Sequence, residues 1–422
     1  MTFQTLSTWA MTLVELSRTL WLRVSLFALL AVLGAGIAIL LEGRIPTYLQ
    51  DRFTTESVMP ILSILASGML AVSTFSLNVM VTAHNAAAQQ TTPRVHRILL
   101  ADATTHTALA VFIGAFVYAL TAIILIKSNV YPEGSSVLVL GITVAVVVLV
   151  VLMLVRWIHR LSDLGSMDAT LDATEALARD CLIRTRRLPA LGAMELSDGT
   201  VPNDAVTPVV APRTGYLQFI DMPRISQRLK SDQTRVYIHV RPGDYMIEGE
   251  TIGHAAGLDA RDATAIARGM TIGAHRTFEQ DASYGLLVLS EIASRALSQG
   301  INDPGTAIAV ICRQEKLLLG WAHTAPQKNV PLFPRIFLRD AARRAMIENA
   351  FAGIARDGAG QIEVALRLRA ALGRVAQTTD PGLVEAARDM LALASDHADA
   401  ALPLDSERLR LRAAADGISA WP

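Results

Sequence analysis

The hydrophobic pattern divides the chain in two. Trp21–Leu41, Val58–Val81, Thr107–Ile126 and Val137–Trp157 run almost without charge, whereas residues 159–422 alternate apolar and polar positions as a water-soluble protein does. A bilayer core of about 30 Å takes roughly 20 apolar residues in helix, so each of the four runs is long enough to span. No small-residue cleavage site clearly follows the first, which is therefore read as a retained span rather than a signal peptide. Before it, Phe3, Leu6, Ala10, Leu13, Leu16 and Leu20 fall at helical spacing, as in a helix lying on the membrane interface; a plain tail fits those residues equally.

No Asp, Glu, Lys, Arg or His lies deep in any span. Proton-coupled carriers and voltage sensors need such groups, so both classes are disfavoured, leaving a neutral-walled pore or an anchor. The second span carries polar residues of another kind. At about 100° per residue, Ser63, Ser67, Thr74 and Asn78 fall within roughly 60° of one another, with Thr82 about 40° further round. This seam either lines a water-filled path or bonds neighbouring helices through its hydroxyls. Asn78 is its sharpest member, because a bare carboxamide facing lipid is costly.

Past the spans, Leu164, Met167, Leu171, Thr174, Ala178 and Cys181 recur in steps of three and four. That spacing predicts a helix over 159–187 that either joins subunits as a stalk or packs on the soluble part. A Pro- and Gly-rich stretch at 189–215 ends it. Gly215–Ile220, Arg235–Val240 and Tyr245–Ile252 read as strands, with turns at Arg241-Pro-Gly-Asp244 and Glu248-Gly-Glu250. This module resembles half of a biotinyl- or lipoyl-type barrel, but no lysine stands at the tip; Lys230 lies before the strand instead. It is read as a small structural barrel. Further on, Leu286, Leu289, Ile292, Ala293, Ala296 and Leu297 predict a helix ending at Ser298-Gln-Gly300, and Asp303-Pro304 starts the next one. Phe337 to Ala352 sketches another amphipathic helix, with breaks at Gly358–Gly360 and Asp380-Pro-Gly382. The basic run Arg408-Leu-Arg-Leu-Arg412 is read as a solvated helix face.

Composition adds exclusions. Hydrophobic residues make up 52% and charged residues 18%, and the formal net charge is zero, so no global field favours nucleic acid. Only Cys181 and Cys312 are present, which supports neither a disulfide framework nor a redox pair. Scarce lysine beside abundant arginine and alanine fits a GC-rich bacterial genome. The short loops set the orientation: Arg18, Arg23, Arg94, Arg97, Arg156 and Arg160 lie on one side, against Arg44, Arg52 and Lys127 on the other. Both termini are thus expected inside, with Trp21 and Trp157 at one interface and Tyr48 and Tyr131 near the other.

The densest chemistry falls at 276–306. Glu279, Asp281, Glu291, Arg295, Asn302 and Asp303 either converge on a ligand pocket, with His275 nearby, or serve as helix caps and ion pairs. His239, His254, His275 and His397 have no HxxxH or HExxH spacing, so no metal site is expected. P-loop, GxGxxG and GxSxG motifs are absent, and no catalytic residue or cofactor is assigned.

"Gln280-Asp-x-Ser-Tyr-Gly285" followed by "Arg295-Ala-Leu-Ser-x-x-Ile-Asn-Asp-Pro-x-Thr-Ala307" resembles the hallmark of a bacterial family of predicted membrane proteins, domain-of-unknown-function family twenty-two fifty-four. "Thr92-Pro-Arg94" and "Gly215-Tyr-Leu-Gln-x-Ile-Asp221 … Arg241-Pro-Gly-Asp244" also look like its features. The resemblance implies four spans and a cytoplasmic C-terminal region, and implies no activity. The expected fold is an α-helical membrane protein: a candidate interfacial helix at 1–20, a four-helix transmembrane domain at 21–160 and a stalk at 161–188. An α+β cytoplasmic region follows, with a β-barrel-like module at 205–256 and a helical part at 259–416. The expected setting is the bacterial inner membrane. The leading functional expectation is a channel-like homo-oligomer in the lipid bilayer, passing a small ion or solute and binding no nucleic acid. A membrane-anchored sensor or enzyme with its site around Gln280–Thr306, and an envelope scaffold, are the alternatives.

Overall fold

In hydrocarbon, an uncharged run has to satisfy its backbone hydrogen bonds internally, and helix is the local solution. A computed structural model of the 422-residue chain describes residues 20–40, 55–90, 92–95, 103–130, 136–163, 166–196, 206–327 and 331–414. The expected interfacial helix up to residue 19, the loop residues Arg44, Arg52 and Arg97, and the belt residues Tyr48 and Tyr131 lie outside these. The chain forms two units, Met1–Thr170 and Leu171–Pro422.

The first unit is helical: α1 Leu20–Leu40, α2 Thr55–Gln90, α3 Ala103–Lys127 and α4 Ser136–Asp163. Among the described residues, three windows are long and apolar enough to cross a membrane: Val58–Ala83, Thr107–Lys127 and Ser136–His159. The described apolar stretch of α1, Val24–Gly36, is shorter, so three such helices stand where four were expected. Helix α3 is the hub, with 50% of its window buried, against 22% in α2 and 17% in α4. Small residues make that possible. A Cβ on Gly114 would lie 3.2 Å from Cβ of Phe27, so α1 and α3 approach closely there. Trp157 of α4 meets Phe75 and Phe112 edge-on at 6.1 and 6.4 Å. The Tyr118 hydroxyl donates to the Val139 carbonyl at 3.1 Å, so the large polar group inside the bundle is satisfied without water. On the outside, Leu29, Leu30, Leu33, Val148, Leu152 and Val155 are exposed, the surface that lipid would cover.

The expected helix over 159–187 is two helices, because α4 ends at Asp163 and α5 runs Met167–Arg187. The Ser166 hydroxyl accepts from the Ala169 amide at 3.1 Å; this cap favours a new start over continuation. Along α5, Leu171, Thr174, Ala178 and Cys181 are buried and Met167 half-buried; Leu164 lies outside the described residues. From Leu171 onward the seam is buried within the second unit, so those positions pack on their own chain.

Two sheets share one apolar core in the second unit. The larger has the order β1 (Ala193–Glu195), β8 (Phe333–Leu338), β4 (Arg235–Ile238), β6 (Thr251–Ala256) and β2 (Val206–Val210). The smaller has β5 (Tyr245–Met246), β3 (Gly215–Ile220) and β7 (Met270–Gly273). Val209, Val236, Ile252 and Ile336 from the first join Leu217, Ile220, Met246 and Ile272 from the second. The barrel-like module expected at 205–256 is therefore an open pair of sheets that recruits β1, β7 and β8 from beyond it. Lone short strands leave unpaired edges, and "Phe-Pro-Arg-Ile-Phe-Leu" fills one by lying parallel to both β1 and β4. Phe337 stacks on Tyr237 with centroids 4.9 Å apart instead of opening a helix. Between strands lie the short helices α6 (Met222–Ser226) and α7 (Ala260–Ala267).

The remainder is helical: α8 Tyr284–Ala296, α9 Pro304–His323, α10 Arg343–Asp357, α11 Ile362–Val375, α12 Pro381–Ala401 and α13 Asp405–Ala413. In the basic run on α13, Arg408 pairs with Asp405 of its own helix and Arg412 with Asp399 of α12. Glu315 of α9 is buried and held by Arg367 and Arg374 of α11, the latter also donating from Nη2 at 3.0 Å. Burial pushes its carboxyl up, but the hydrogen bonds from Arg374 and Arg367 more than reverse this, so it titrates below the usual 4.5. A depressed folded value means that the stabilisation is present above about pH 4.5 and is lost as pH falls through the folded value. Glu315→Gln is expected to destabilise the second unit by about 3 kcal/mol near neutrality, since two arginines lose their counter-charge. In thermal melts the gap to wild type should hold above about pH 4.5 and close as pH falls through the lower folded value; a gap independent of pH would exclude the ion pair as its source.

Candidate functional site

Three motif segments far apart in sequence meet beside the N-terminus of α8. Gln280 mimics a strand partner: its Oε1 accepts from the Ile220 amide at 2.7 Å and its Nε2 donates to the Ile220 carbonyl at 3.1 Å. Next to it Asp281, only 4% exposed, accepts from Arg276 at both oxygens, Nε to Oδ2 at 2.7 Å and Nη2 to Oδ1 at 3.0 Å. Asp281 Oδ1 also takes the Ser283 and Tyr284 amides at 3.2 and 3.1 Å, so this carboxylate caps α8. Arg276 lies over the Tyr284 ring, 5.2 Å from its centroid.

The Arg241–Asp244 turn is set against this carboxylate. Gly243 has φ +100°, and a Cβ there would fall 2.2 Å from Asp281 Oδ2. Its amide donates to the Leu217 carbonyl at 2.8 Å, while the Leu217 amide donates to the Asp244 carbonyl at 2.9 Å. A Cβ on Gly285 would fall 2.4 Å from that of Ala178, which brings α5 onto α8. Between the turn, the start of α8, the end of α5 and the segment after β8 lies a cleft of about 190 Å³. Its charged lining comprises Arg241, Arg276, Arg339, Asp244, Asp281 and Asp340.

The six residues expected to form a pocket are not gathered in one place. Asp281 lines the cleft. Glu279 is exposed, its carbonyl accepting from Arg184 at 3.3 Å. Glu291 and Arg295 stand one turn apart, half-buried, along α8. Asn302 and Asp303 lie beyond its far end, and a 13-residue helix is about 20 Å long. His275 is exposed as well. The Asn-Asp-Pro corner has the geometry of a junction: Asn302 takes φ +48°, and its Oδ1 accepts from Gln361 at 2.9 Å. Asp303 accepts from the Thr306 amide at 3.0 Å and hydroxyl at 2.6 Å. Those two bonds hold its carboxyl below the usual 3.8.

In the membrane unit, Ser63, Ser67, Thr74, Asn78 and Thr82 are all exposed. The buried stripe of α2, Val58, Leu62, Leu65, Ser73, Ser76 and Met80, lies about 150° round the helix from them at 3.6 residues per turn. Ser67, Thr74 and Thr82 donate back to the carbonyls of Ser63, Leu70 and Asn78, each at 2.9 Å.

Sequence reasoning missed other pairings. His239 Nε2 and His254 Nδ1 sit 2.9 Å apart because strand pairing aligned them, and no spacing rule shows this. Arg339 and Asp340 carried no motif. Arg241 was visible only as part of a turn. Burial pushes the Cys181 thiol up to about 12, so it is no thiolate at neutral pH. Among the described residues, no group of three or more His, Cys, Asp or Glu is placed to hold a metal ion.

Two substitution sets separate junction from site. Asp303→Ala should cost about 1 kcal/mol, an effect that disappears as pH falls below about 3.8. Asn302→Gly should be tolerated far better than Asn302→Val, because left-handed backbone penalises a β-branched residue by ~1–2 kcal/mol or more. Gly243→Ala should lower the melting temperature more than either Asp303→Ala or Asn302→Gly, since it adds strain of about 1–3 kcal/mol and displaces a buried carboxylate. An unchanged melt for Gly243→Ala would show that the turn and Asp281 are not tightly wedged.

The comparisons agree on a membrane protein. The model of a family described as "Predicted membrane protein (DUF2254)" matches residues 17–374. Uncharacterised proteins of Mycobacterium bovis and Mycobacterium tuberculosis are each 25% identical over 302 residues, covering 66% of this chain and 56% of their own length. The chain thus spans a little over half the length of these curated relatives. No solved structure matches it. With most of its length inside the family model, the chain belongs to the DUF2254 family of predicted membrane proteins.

Proposed function

We propose that this protein is a four-span bacterial inner-membrane protein that assembles as a homo-oligomer through the outer face of α2 and passes a small ion or solute along it. The observation that carries the reading is the exposed polar seam. Three of its hydroxyls are satisfied by their own helix, but a carboxamide cannot be hidden this way, and Asn78 is exposed on a helix of membrane-spanning length. Left in hydrocarbon it would cost several kcal/mol. Water or the same face of another copy removes that cost. The uncharged character of the spans favours a neutral-walled path. The arginine-rich loops favour an orientation with both termini in the cytoplasm, and α1, 21 residues long, would be the fourth span at about 31 Å.

Two measurements on purified protein test this. Native mass in lipid nanodiscs should show three or more subunits; a monomer overturns the reading, because four helices cannot enclose a wet path. In proteoliposomes, Asn78→Leu should change ion or solute flux severalfold while the oligomer keeps its mass. Lost assembly with unaltered flux per protein would instead make the seam a helix–helix contact and nothing more.

A further inference from the structure

The cleft beside Asp281 holds a cation that its own carboxylates do not engage. Asp281 is taken up by Arg276, Ser283 and Tyr284. Asp340 binds Arg343 at 2.7 Å and the Ala190 amide at 2.9 Å. Asp244 Oδ2 accepts from the backbone amide of Arg241 at 2.8 Å and so closes the turn. The Arg241 Nε–H is buried in the cleft wall and meets no acceptor. Leaving a charged donor buried and unmatched costs free energy, and an arginine so placed is poised for an acceptor from outside. Space for one exists: about 190 Å³ is more than ten times the ~10–15 Å³ that admits a water.

We propose that this cleft is a binding site for a small oxyanion, the phosphate or carboxylate group of a water-soluble metabolite, gripped by Arg241. A guanidinium offers a planar fork of donors that matches either group. The fork is presented on a pinned turn: Gly243 is wedged against Asp281, and its amide is bonded to Leu217. That restricts the backbone before any ligand arrives and lowers the ordering cost of binding. The Asn349 carboxamide borders the same space and supplies a neutral donor. The site belongs to the soluble unit alone, so it stands or falls independently of the membrane reading.

The test is thermal unfolding of the full chain in phosphatidylcholine nanodiscs, titrated separately with inorganic phosphate and with succinate, ionic strength held constant with potassium chloride. A saturable rise in melting temperature with at least one oxyanion is expected, and the one that works assigns the group. Arg241→Gln should weaken the apparent affinity roughly tenfold or more, the scale of a lost charge-assisted pair, with the ligand-free melt no lower than that of the wild type. Ala345→Leu, which fills the cleft without altering charge, should also abolish saturation, and it carries the test if Arg241→Gln fails to fold. No saturable response to either oxyanion, or a response that both variants retain, would overturn the proposal.

Discussion

A buried carboxylate organises the second unit, Leu171–Pro422. Asp281 sits where two sheets, α5 and α8 come together, and it does three jobs with two oxygens: it fixes Arg276, starts α8 and abuts Gly243. An ionised group so deeply buried is tolerable only when its lone pairs are filled, and five hydrogen bonds fill them. Because one partner lies on the Arg276 segment and its steric neighbour on the Arg241–Asp244 turn, the strands cannot shift past α8 without exposing a charge. The turn and the segment after β8 line the same cleft.

The helical part uses the same device at a larger scale. Glu315 ties α9 to α11 through two arginines. Glu175 on α5 meets Arg313 and Lys316 of α9 at 3.5 and 2.9 Å. Trp321 of α9 lies under Arg186 and Arg343, 4.4 and 5.6 Å from their guanidinium carbons. A composition poor in lysine and rich in arginine suits such packing, because the flat, weakly hydrated guanidinium can be half-buried against a ring or a carboxylate. In the membrane unit close packing takes the place of charge. Helix α3 is lined by small residues such as Ala108, Ala115, Ala119 and Ala122, and its neighbours approach it closely.

Much of this was legible in the primary structure, each part for a local reason. Strand Gly215–Ile220 and the Asp303 cap were read correctly because alternation and capping are short-range. The helix break at Ser166 was missed, since the seam spacing runs straight through it. Phe337 was misplaced in a helix because its apolar period fits both, and only the open edges of β1 and β4 decide for strand. The pocket residues were grouped by nearness in sequence, whereas α8 holds its two ends about 20 Å apart.

The sequence by itself determined the apolar helices of the N-terminal part, the family resemblance, the polar seam of α2 and the capping chemistry of Asp303, all of which depend on residues within a few turns of one another. Tertiary structure alone decided that the seam faces outward, that α5 packs on its own chain, and that Arg241 borders a cleft with Arg339 and Asp340. Those outcomes depend on which faces meet across separations of tens to more than a hundred residues, and there the deciding quantity is the fit of whole surfaces, which no local pattern encodes.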